Sequence, residues 1–378
     1  MNIKDNIKTI IIKKPLKLDC GQIIKNFPLA YETYGSLNEK KDNAILVCHA
    51  LTGDQFVTGL NPITKKDGWW SYAVGPNKSI DTNKYFVICA NVIGGCMGSL
   101  GPKDINSETK QPYGLEFPVI TIRDMIRAQE SLLDHLGIKK LLCATGGSMG
   151  GMQLLQFCST FPNRCFSAIP IACSSSHSAQ NIALNELARQ AIMADPVWDK
   201  GKYFLKDVQP KNGLAVARMV GHISYLSEKG MQEKFGRKLQ EKADYEFSFN
   251  ADFQVESYLR HQGYAFVERF DANSVLYITR AMDYFDLSKQ FKGGLVEAFK
   301  GQKTKFLIIS FSSDWLYTTK DNKDIVIALN ASGADVSYSE IVTDKGHDSF
   351  LLQVPDFLKT LKSFIDSMYE KFKNEKRI

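Results

Sequence analysis

The sequence predicts an α/β fold, in which a mostly parallel sheet is flanked by helices and carries a helical insertion. Short apolar runs bounded by turn residues recur in the first half of the chain, and amphipathic helical segments alternate with them. This alternation is typical of a parallel sheet covered on both faces. The strand-like pattern stops near residue 180 and returns near residue 303, which indicates the insertion. A chain of 378 residues is long enough for one large domain that carries such a segment.

Four strands are predicted before the insertion, at 43–50, 84–92, 139–147 and 166–174. Between the second and third strands, apolar residues recur at helical spacing over 121–138, and Gly137 stands where a C-terminal cap is expected. A second helix follows the third strand directly, begins with small residues and ends near Pro162. The third strand and this helix therefore meet in a tight turn.

The segment 181–294 is rich in helix formers and charge and has few β-branched runs, so it predicts three or more helices. A structureless loop of this length is uncommon in a compact domain, and we interpret the segment as a helical lid. The core then comprises 1–180 and 295–378. In its second part, a strand-like pattern returns within 303–315 and is followed by a helix, a strand at 335–342 and a terminal helix from about Pro355.

Composition excludes several classes of function. The net charge of +6 comes mostly from lysines scattered through the chain, which is too diffuse for a nucleic-acid site and fits a solvated surface, although it also suits an anionic small molecule. No apolar stretch approaches the ~20 residues of a membrane-spanning helix, and the lysine-flanked N-terminus is neither a signal peptide nor an anchor. The eight cysteines form no C-x-x-C pair and predict buried, reduced thiols. We expect a soluble cytoplasmic protein without a metal site.

The sharpest motif is the G-x-S-x-G at 146–150, which lies at the junction of a strand and a helix. A serine on such a turn is held in a strained conformation that exposes its Oγ above the sheet, and the flanking glycines avoid collisions with neighbouring backbone. The helix N-terminus beneath it offers N–H groups to developing negative charge. This placement predicts that Ser148 is a nucleophile.

A nucleophilic serine needs a histidine base and a carboxylate that orients this base. Asp314 directly follows a predicted strand, and His347 lies in the loop before the terminal helix. The order serine, acid, histidine, each after a later strand, is that of the α/β-hydrolase fold. Ser148, Asp314 and His347 are therefore the predicted catalytic triad.

Two backbone N–H groups are needed to form an oxyanion hole. Met149, the residue after the nucleophile, supplies one, and Leu51, in the loop after an earlier strand, is the expected second donor. His49 in the same loop is interpreted as a residue that shapes the turn. His177 precedes the acid in chain order and is a candidate for lining the pocket.

Several long blocks of the sequence resemble the homoserine O-acetyltransferase family. They extend from about residue 45 to 352 and include CHALTGDQFV, GWWSYAVGPNKSIDTNKYFVICANVIGGCMGSLGP, YGLEFPVITIRDMIRAQ, GGSMGGMQLLQF, ARMVGHISYLSE, VESYLRHQGYAFVERFDANSVLYITRAMDYFDL, SSDWLY and GHDSFL. The resemblance implies ping-pong transfer of an acetyl group from acetyl-CoA to the γ-hydroxyl of L-homoserine, in methionine biosynthesis and with no bound cofactor. It also implies that Arg218 binds the carboxylate of the amino acid and that Asp348 binds its ammonium group.

The same resemblance implies a homodimer that is formed through the helical insertion. Within the insertion, Tyr277, Arg280 and Asp283 are expected to line a tunnel to the nucleophile. Two positions depart from the family pattern. Leu100 stands where the family usually has a small hydroxyl residue, in a loop expected to lie at the acyl or substrate pocket, and WLYTTKD follows Asp314 where the family tends to have prolines.

Four alternatives stay open at this point. Succinyl-CoA brings the same thioester chemistry as acetyl-CoA, and a cation near the acyl site would favour it. Serine differs from homoserine by one methylene, which is worth only ~1–3 kcal/mol in a pocket. A carboxylesterase would use water as the acceptor and would not need the charges of Arg218 and Asp348. A non-catalytic binding protein would be expected to have lost a member of the triad, and all three are present.

Overall fold

The structure is a computed structural model that describes residues 7–375, and within this range eight strands form one central sheet. In chain order they are β1 Thr9–Ile12, β2 Phe27–Tyr34, β3 Ala44–Val47, β4 Phe86–Ala90, β5 Leu141–Gly147, β6 Cys165–Ile171, β7 Lys305–Phe311 and β8 Val336–Ile341. Their order across the sheet is β1-β2-β4-β3-β5-β6-β7-β8. Strand β2 is antiparallel to both of its neighbours, and all the other pairs are parallel. The predicted, mostly parallel sheet is confirmed.

Ten α-helices lie within the described residues. They are α1 Ile122–His135, α2 Met149–Thr160, α3 Ala179–Ala194, α4 Lys211–Tyr225, α5 Glu228–Lys234, α6 Gln254–Val267, α7 Ala272–Asp283, α8 Gly294–Ala298, α9 Thr319–Ala331 and α10 Pro355–Glu375. None of them is long and apolar enough to cross a membrane. Helix α1 begins at a capping box formed by Thr121 and Asp124, and Gly137 follows its end with a φ of 68°, in agreement with the predicted cap.

The core lies on the two faces of the sheet. Every residue of β3, β5 and β6 is buried, because helices cover both faces of these central strands. Apolar side chains of α1, α2 and α9 belong to the cluster on one face, and those of α10 belong to the cluster on the other. The carboxyl ends of the parallel strands stay free for the loops that carry function, as is general in α/β folds.

Helices α3 to α8 all lie between β6 and β7; α3 packs against α4 and α7, and α4 also packs against α6. Several contacts join this helical segment to the loops that follow β7 and β8. The indole N–H of Trp315 donates to the carbonyl oxygen of Leu226 at 3.0 Å. A Cβ on Gly346 would lie 2.5 Å from the backbone nitrogen of Ser227, so the two backbones touch. The division of the chain at residues 180 and 294 stays a prediction.

The structure differs from the sequence-based expectation at the N-terminus and at one cysteine. Neither β1 nor β2 was predicted. Strand β1 is a four-residue edge strand whose apolar run is mostly solvent-accessible, so its sequence pattern is weak. All eight cysteines are free, and six of them are buried. Cys96 is half-buried, whereas Cys20 is exposed and departs from the prediction of buried thiols.

Candidate active site

Ser148 occupies the turn between β5 and α2. Its φ of 59° and ψ of −125° are unfavourable for a residue with a side chain, and such strain is typical of functional positions. The backbone around it leaves no room for side chains, because a Cβ on Gly150 would lie 2.2 Å from the carbonyl oxygen of Cys48. The turn is fixed to the neighbouring strand, since the N–H of Ser148 donates to Ile171 at 3.0 Å. The predicted nucleophile therefore has the expected strand-to-helix placement.

Asp314 and His347 form a buried, hydrogen-bonded pair in the loops after β7 and β8. His347 Nδ1 lies 2.7 Å from Asp314 Oδ2. The other carboxylate oxygen, Oδ1, accepts the backbone N–H groups of Leu316 and Tyr317, both at 2.9 Å. Because the carboxylate can only accept, Nδ1 carries the ring proton and Nε2 is left to receive one. This is the arrangement of a base and its orienting acid.

The electrostatics of His347 suit a general base. Burial lowers its pKa, but the charge and hydrogen bond of Asp314, together with the charge of Asp348, outweigh this effect. The net result is a pKa above the usual 6.5. An imidazolium formed during the reaction is thereby stabilised, and the free base is present once the pH exceeds this raised value.

The loop that carries Leu51 is rigidly held above α2. His49 Nδ1 lies 2.8 Å from the Ala50 carbonyl oxygen, and His49 Nε2 accepts the N–H of Val92 at 3.1 Å. The Gln153 side chain donates to the His49 carbonyl oxygen at 3.1 Å. Burial lowers the pKa of His49 to about 4, so the ring is neutral. The interpretation of His49 as a residue that shapes this turn is confirmed.

A pocket opens above Ser148, between the core and the helical insertion. Its lining comes from the loops after β3, β5, β6 and β7 and from helices α3, α4, α6 and α7, and includes Leu51, Ser148, His177, Asn181, Leu184, Ala188, Arg218, Tyr225, Phe266, Val275, Thr279, Met282, Leu316 and Tyr317. Most of this lining is apolar. The insertion therefore forms the roof of the pocket, and the prediction that His177 lines it is confirmed.

Arg218 is the charged side chain of this lining. Its guanidinium lies over the rings of Phe266 and Tyr225, at 4.9 and 5.7 Å from their centroids, and donates to Thr52 Oγ1 at 3.2 Å. No carboxylate within residues 7–375 is at ion-pair distance from it. A half-buried guanidinium without a counter-ion keeps most of its donors for a ligand, and its fork matches a carboxylate.

Asp348 is half-buried and directly follows His347, the histidine of the predicted triad. Burial raises its pKa, although the positive charges of His347 and Arg218 act in the opposite direction. Within the described part of the chain, its carboxylate makes no hydrogen bond and no ion pair. Arg218 lines the pocket together with Ser148, whereas Asp348 adjoins His347 and is not part of that lining. Both side chains keep hydrogen-bonding capacity for a zwitterionic ligand.

Two predictions about the pocket are wrong. Tyr277, Arg280 and Asp283 do not line it within residues 7–375, because the pocket-facing side of α7 is the stripe formed by Val275, Thr279 and Met282. Tyr277 lies on a different face of the helix and donates its hydroxyl to the Phe117 carbonyl oxygen at 2.6 Å. Asp283 pairs with Arg189 at 2.6 Å.

Leu100 is the second correction. Its side chain is buried in the core cluster on one face of the sheet, away from the pocket. This departure from the family pattern therefore does not alter the site. The other departure follows Asp314, where Thr318 caps helix α9 through a capping box with Asp321. The helix thus begins without the prolines.

Tyr317 and Tyr225 also belong to the site, although no sequence motif indicated a role for either residue. Tyr317 is fully buried, and its ring centroid lies 5.1 Å from that of His347. The ring of Tyr225 lies 6.0 Å from the same imidazole. Within residues 7–375, no cluster of three or more His, Cys, Asp or Glu side chains could hold a metal ion.

Comparison with known proteins agrees with this geometry. Residues 43–352 match the family model of the alpha/beta hydrolase fold, so the chain belongs to the α/β-hydrolase family. It is 68% identical to the homoserine O-acetyltransferase of Pelagibacter ubique (strain HTCC1062), over 98% of this chain and 100% of the relative. The chain therefore belongs to the homoserine O-acetyltransferases and is an enzyme of that family.

Solved structures resemble it over nearly the full length. The homoserine O-acetyltransferase of Bacillus anthracis has a TM-score of 0.87 and 28% identity, and the match covers 95% of this chain and 97% of that one. Esterase E22 has a TM-score of 0.85 and 27% identity, with coverage of 95% and 99%. The same scaffold thus occurs in proteins named as transferases and as esterases, and the side chains of the site must distinguish the two activities.

Proposed function

We propose that this enzyme transfers an acetyl group from acetyl-CoA to the γ-hydroxyl of L-homoserine through an acyl-serine on Ser148, as a step of methionine biosynthesis. The observation that carries the proposal is the guanidinium of Arg218, which has no carboxylate partner within residues 7–375 and lies in the same pocket as the Ser148 nucleophile. The name of the Pelagibacter relative supports the same acceptor and acyl group.

In the first half-reaction, Ser148 Oγ attacks the carbonyl carbon of the thioester while its proton passes to His347 Nε2. The backbone N–H groups of Leu51 and Met149 receive the oxyanion. The carbon–sulfur bond then breaks, and the CoA thiolate leaves with the proton from His347. Asp314 keeps the imidazole in the required tautomer and stabilises the imidazolium, as its 2.7 Å contact with Nδ1 allows.

In the second half-reaction, the γ-hydroxyl of homoserine gives its proton to His347 and attacks the acyl-serine ester. The tetrahedral intermediate collapses, and the proton returns from His347 to Ser148 Oγ. Arg218 binds the substrate carboxylate with a bidentate pair of hydrogen bonds, and Asp348 accepts from the ammonium group. Both ends of the amino acid are then anchored, so its hydroxyl is positioned at the ester.

The lining of the pocket favours acetyl over succinyl. Within residues 7–375, Arg218 is the one lysine or arginine in that lining. If this side chain binds the carboxylate of homoserine, the pocket offers no second guanidinium or ammonium to the free carboxylate of a succinyl group. The apolar roof over Ser148 also limits the access of water to the acyl-serine, which opposes the esterase reaction.

The proposal is tested by the release of free thiol from acetyl-CoA and succinyl-CoA, with L-homoserine, L-serine or no acceptor. Release that depends on homoserine and acetyl-CoA, and that disappears in Ser148→Ala, is the expected result. Equal release with and without homoserine would assign the esterase reaction instead. A preference for succinyl-CoA or for serine would correct the donor or the acceptor.

The proposed assembly is a homodimer formed through the helical insertion. Helices α4 and α6 expose apolar side chains that include Val216, Ile223 and Tyr264, and groups of exposed apolar residues mark contact surfaces. Light scattering after size-exclusion chromatography should give twice the mass of the chain. The double substitution Val216→Glu and Ile223→Glu should reduce the measured mass to that of a single chain.

A further inference from the structure

A chain of buried polar groups leads from the helical insertion to the nucleophile. Asp283, the last residue of α7, accepts hydrogen bonds from Arg189 at 2.6 Å and from Asn185 at 2.7 Å. His177 Nδ1 lies 3.1 Å from the same carboxylate, and His177 Nε2 lies 2.8 Å from the hydroxyl of Tyr317. None of these groups belongs to the triad, although His177 and Tyr317 line the pocket together with Ser148.

The direction of each hydrogen bond in this series of polar groups follows from the carboxylate of Asp283. Burial raises the pKa of Asp283, but its hydrogen bonds with His177, Asn185 and Arg189 outweigh this effect, so the group is ionised and can only accept. His177 must therefore carry its proton on Nδ1, and in the neutral ring Nε2 accepts. The hydroxyl of Tyr317 then donates its single hydrogen to His177.

Tyr317 consequently presents an oxygen lone pair, and no hydrogen, to the pocket. Burial raises the pKa of Tyr317 well above its usual range, and the neighbouring Ser148 hydroxyl only partly opposes this shift. Donation to a histidine that is itself bound to a carboxylate also strengthens the phenol oxygen as an acceptor. A substrate group next to this oxygen must be a hydrogen-bond donor.

L-Homoserine brings two kinds of donor to the pocket. The proton of the γ-hydroxyl is required by His347, so it is not available to Tyr317 during transfer. The ammonium group has three N–H bonds and lies only three carbon atoms from the γ-oxygen, so it stays close to Ser148 when that oxygen attacks the ester. Asp348 cannot use all three N–H bonds in good geometry, and at least one is left for a further acceptor.

We infer that the Tyr317 hydroxyl is a second acceptor for the ammonium group of the substrate and that His177, hydrogen-bonded to Asp283, is the positioning residue that keeps this hydroxyl an acceptor. The inference rests on the proposed function, because it assumes an amino-acid acceptor. It adds a specificity determinant that joins the helical insertion to the core, and it explains why a buried histidine and carboxylate are paired beside a second such pair.

The test compares L-homoserine with 4-hydroxybutyrate, which keeps the carboxylate and the hydroxyl and lacks the ammonium group. Tyr317→Phe should lower the ratio of kcat/KM for homoserine to that for 4-hydroxybutyrate by roughly 10- to 100-fold, the usual effect of losing a hydrogen bond to a charged group. His177→Leu should lower the ratio at least as much, because the freed hydroxyl can turn its hydrogen toward the ammonium group. If Tyr317 and His177 had only a structural role, kcat/KM would fall equally for homoserine and for 4-hydroxybutyrate, and the ratio would stay the same.

Tyr277→Phe is the matched control, since it removes a buried, hydrogen-bonded hydroxyl from α7 outside the pocket. It should leave the ratio unchanged. If 4-hydroxybutyrate is too poor an acceptor, acylation by p-nitrophenyl acetate, which involves no ammonium group, replaces it as the reference reaction, and Tyr317→Phe should lower kcat/KM for homoserine roughly 10- to 100-fold more than it lowers the rate of acylation. An unchanged ratio in Tyr317→Phe, with homoserine-dependent transfer intact in the wild type, overturns the inference alone. No homoserine-dependent transfer in the wild type overturns it together with the proposed function.

Discussion

Arg218 is the residue whose replacement separates substrate recognition from the chemistry of the triad. Arg218→Leu removes the guanidinium and keeps an apolar side chain against Phe266 and Tyr225, whose rings lie 4.9 and 5.7 Å from it. Arg218→Lys keeps the positive charge and loses the planar fork. The two variants therefore test separately the contribution of the positive charge and that of the bidentate geometry.

The magnitudes follow from the hydrogen bonds that are lost. A hydrogen bond to a charged group contributes about 1.5–3 kcal/mol. Arg218→Leu loses two such bonds to the substrate carboxylate, so kcat/KM for homoserine should fall roughly 10²- to 10⁴-fold. Arg218→Lys loses about one of them, and the fall should be roughly 10- to 100-fold.

Stability should respond differently. Arg218 has no carboxylate partner within residues 7–375, so Arg218→Leu breaks no ion pair and removes the cost of a half-buried charge. The contacts of the Arg218 guanidinium with two aromatic rings stabilise the wild type by about 0.5–1 kcal/mol each, and the variant loses them. The free energy of unfolding should therefore change by no more than about 1 kcal/mol, as measured by denaturant titration.

The assay measures kcat/KM for homoserine at saturating acetyl-CoA, beside the rate of acylation by p-nitrophenyl acetate, which needs no amino acid. Transfer to homoserine should fall far more than acylation. If Arg218→Leu kept kcat/KM for homoserine within threefold of the wild type, or if both rates fell by the same factor, the assignment of Arg218 to the substrate carboxylate would be refuted.

Two further perturbations act on the base and on the nucleophile turn. Asp348 contributes to the raised pKa of His347, which must be deprotonated to act, so Asp348→Asn should move the acid limb of p-nitrophenyl acetate acylation to lower pH; a limb that stays in place would exclude this coupling. A methyl group on Gly150 would lie 2.2 Å from the Cys48 carbonyl oxygen and would displace the loop that carries Leu51. Gly150→Ala should therefore lower stability by about 1–3 kcal/mol and slow acylation, and an unchanged melting temperature and rate would contradict this packing.

The members of the predicted triad could be proposed from sequence because each follows the carboxyl end of a strand that the sequence shows. Parallel strands place their carboxyl ends at one edge of the sheet, so Ser148, Asp314 and His347 were expected at the same edge once the strands were recognised. Strand β1 escaped prediction for the opposite reason, since four residues at a solvent-accessible edge leave too weak a pattern.

The roof of the pocket could not be derived in the same way. Helical spacing shows that one face of α7 is buried, but it does not show which buried face meets the pocket and which meets the core. Tyr277 was therefore assigned to the tunnel, whereas its hydroxyl binds the loop at Phe117. The contact between His177 and Tyr317 joins residues 140 positions apart, and no local motif records it.

The most direct test of the covalent mechanism is mass spectrometry of the enzyme after acid quench, on the intact chain and on its peptides. With acetyl-CoA and no acceptor, the wild type should gain the mass of one acetyl group on the peptide that contains Ser148, and added L-homoserine should discharge it as O-acetyl-homoserine. Ser148→Ala should gain nothing. If the wild type transferred acetyl to homoserine at full rate but never carried the acetyl group on Ser148, the acyl-serine account would be wrong.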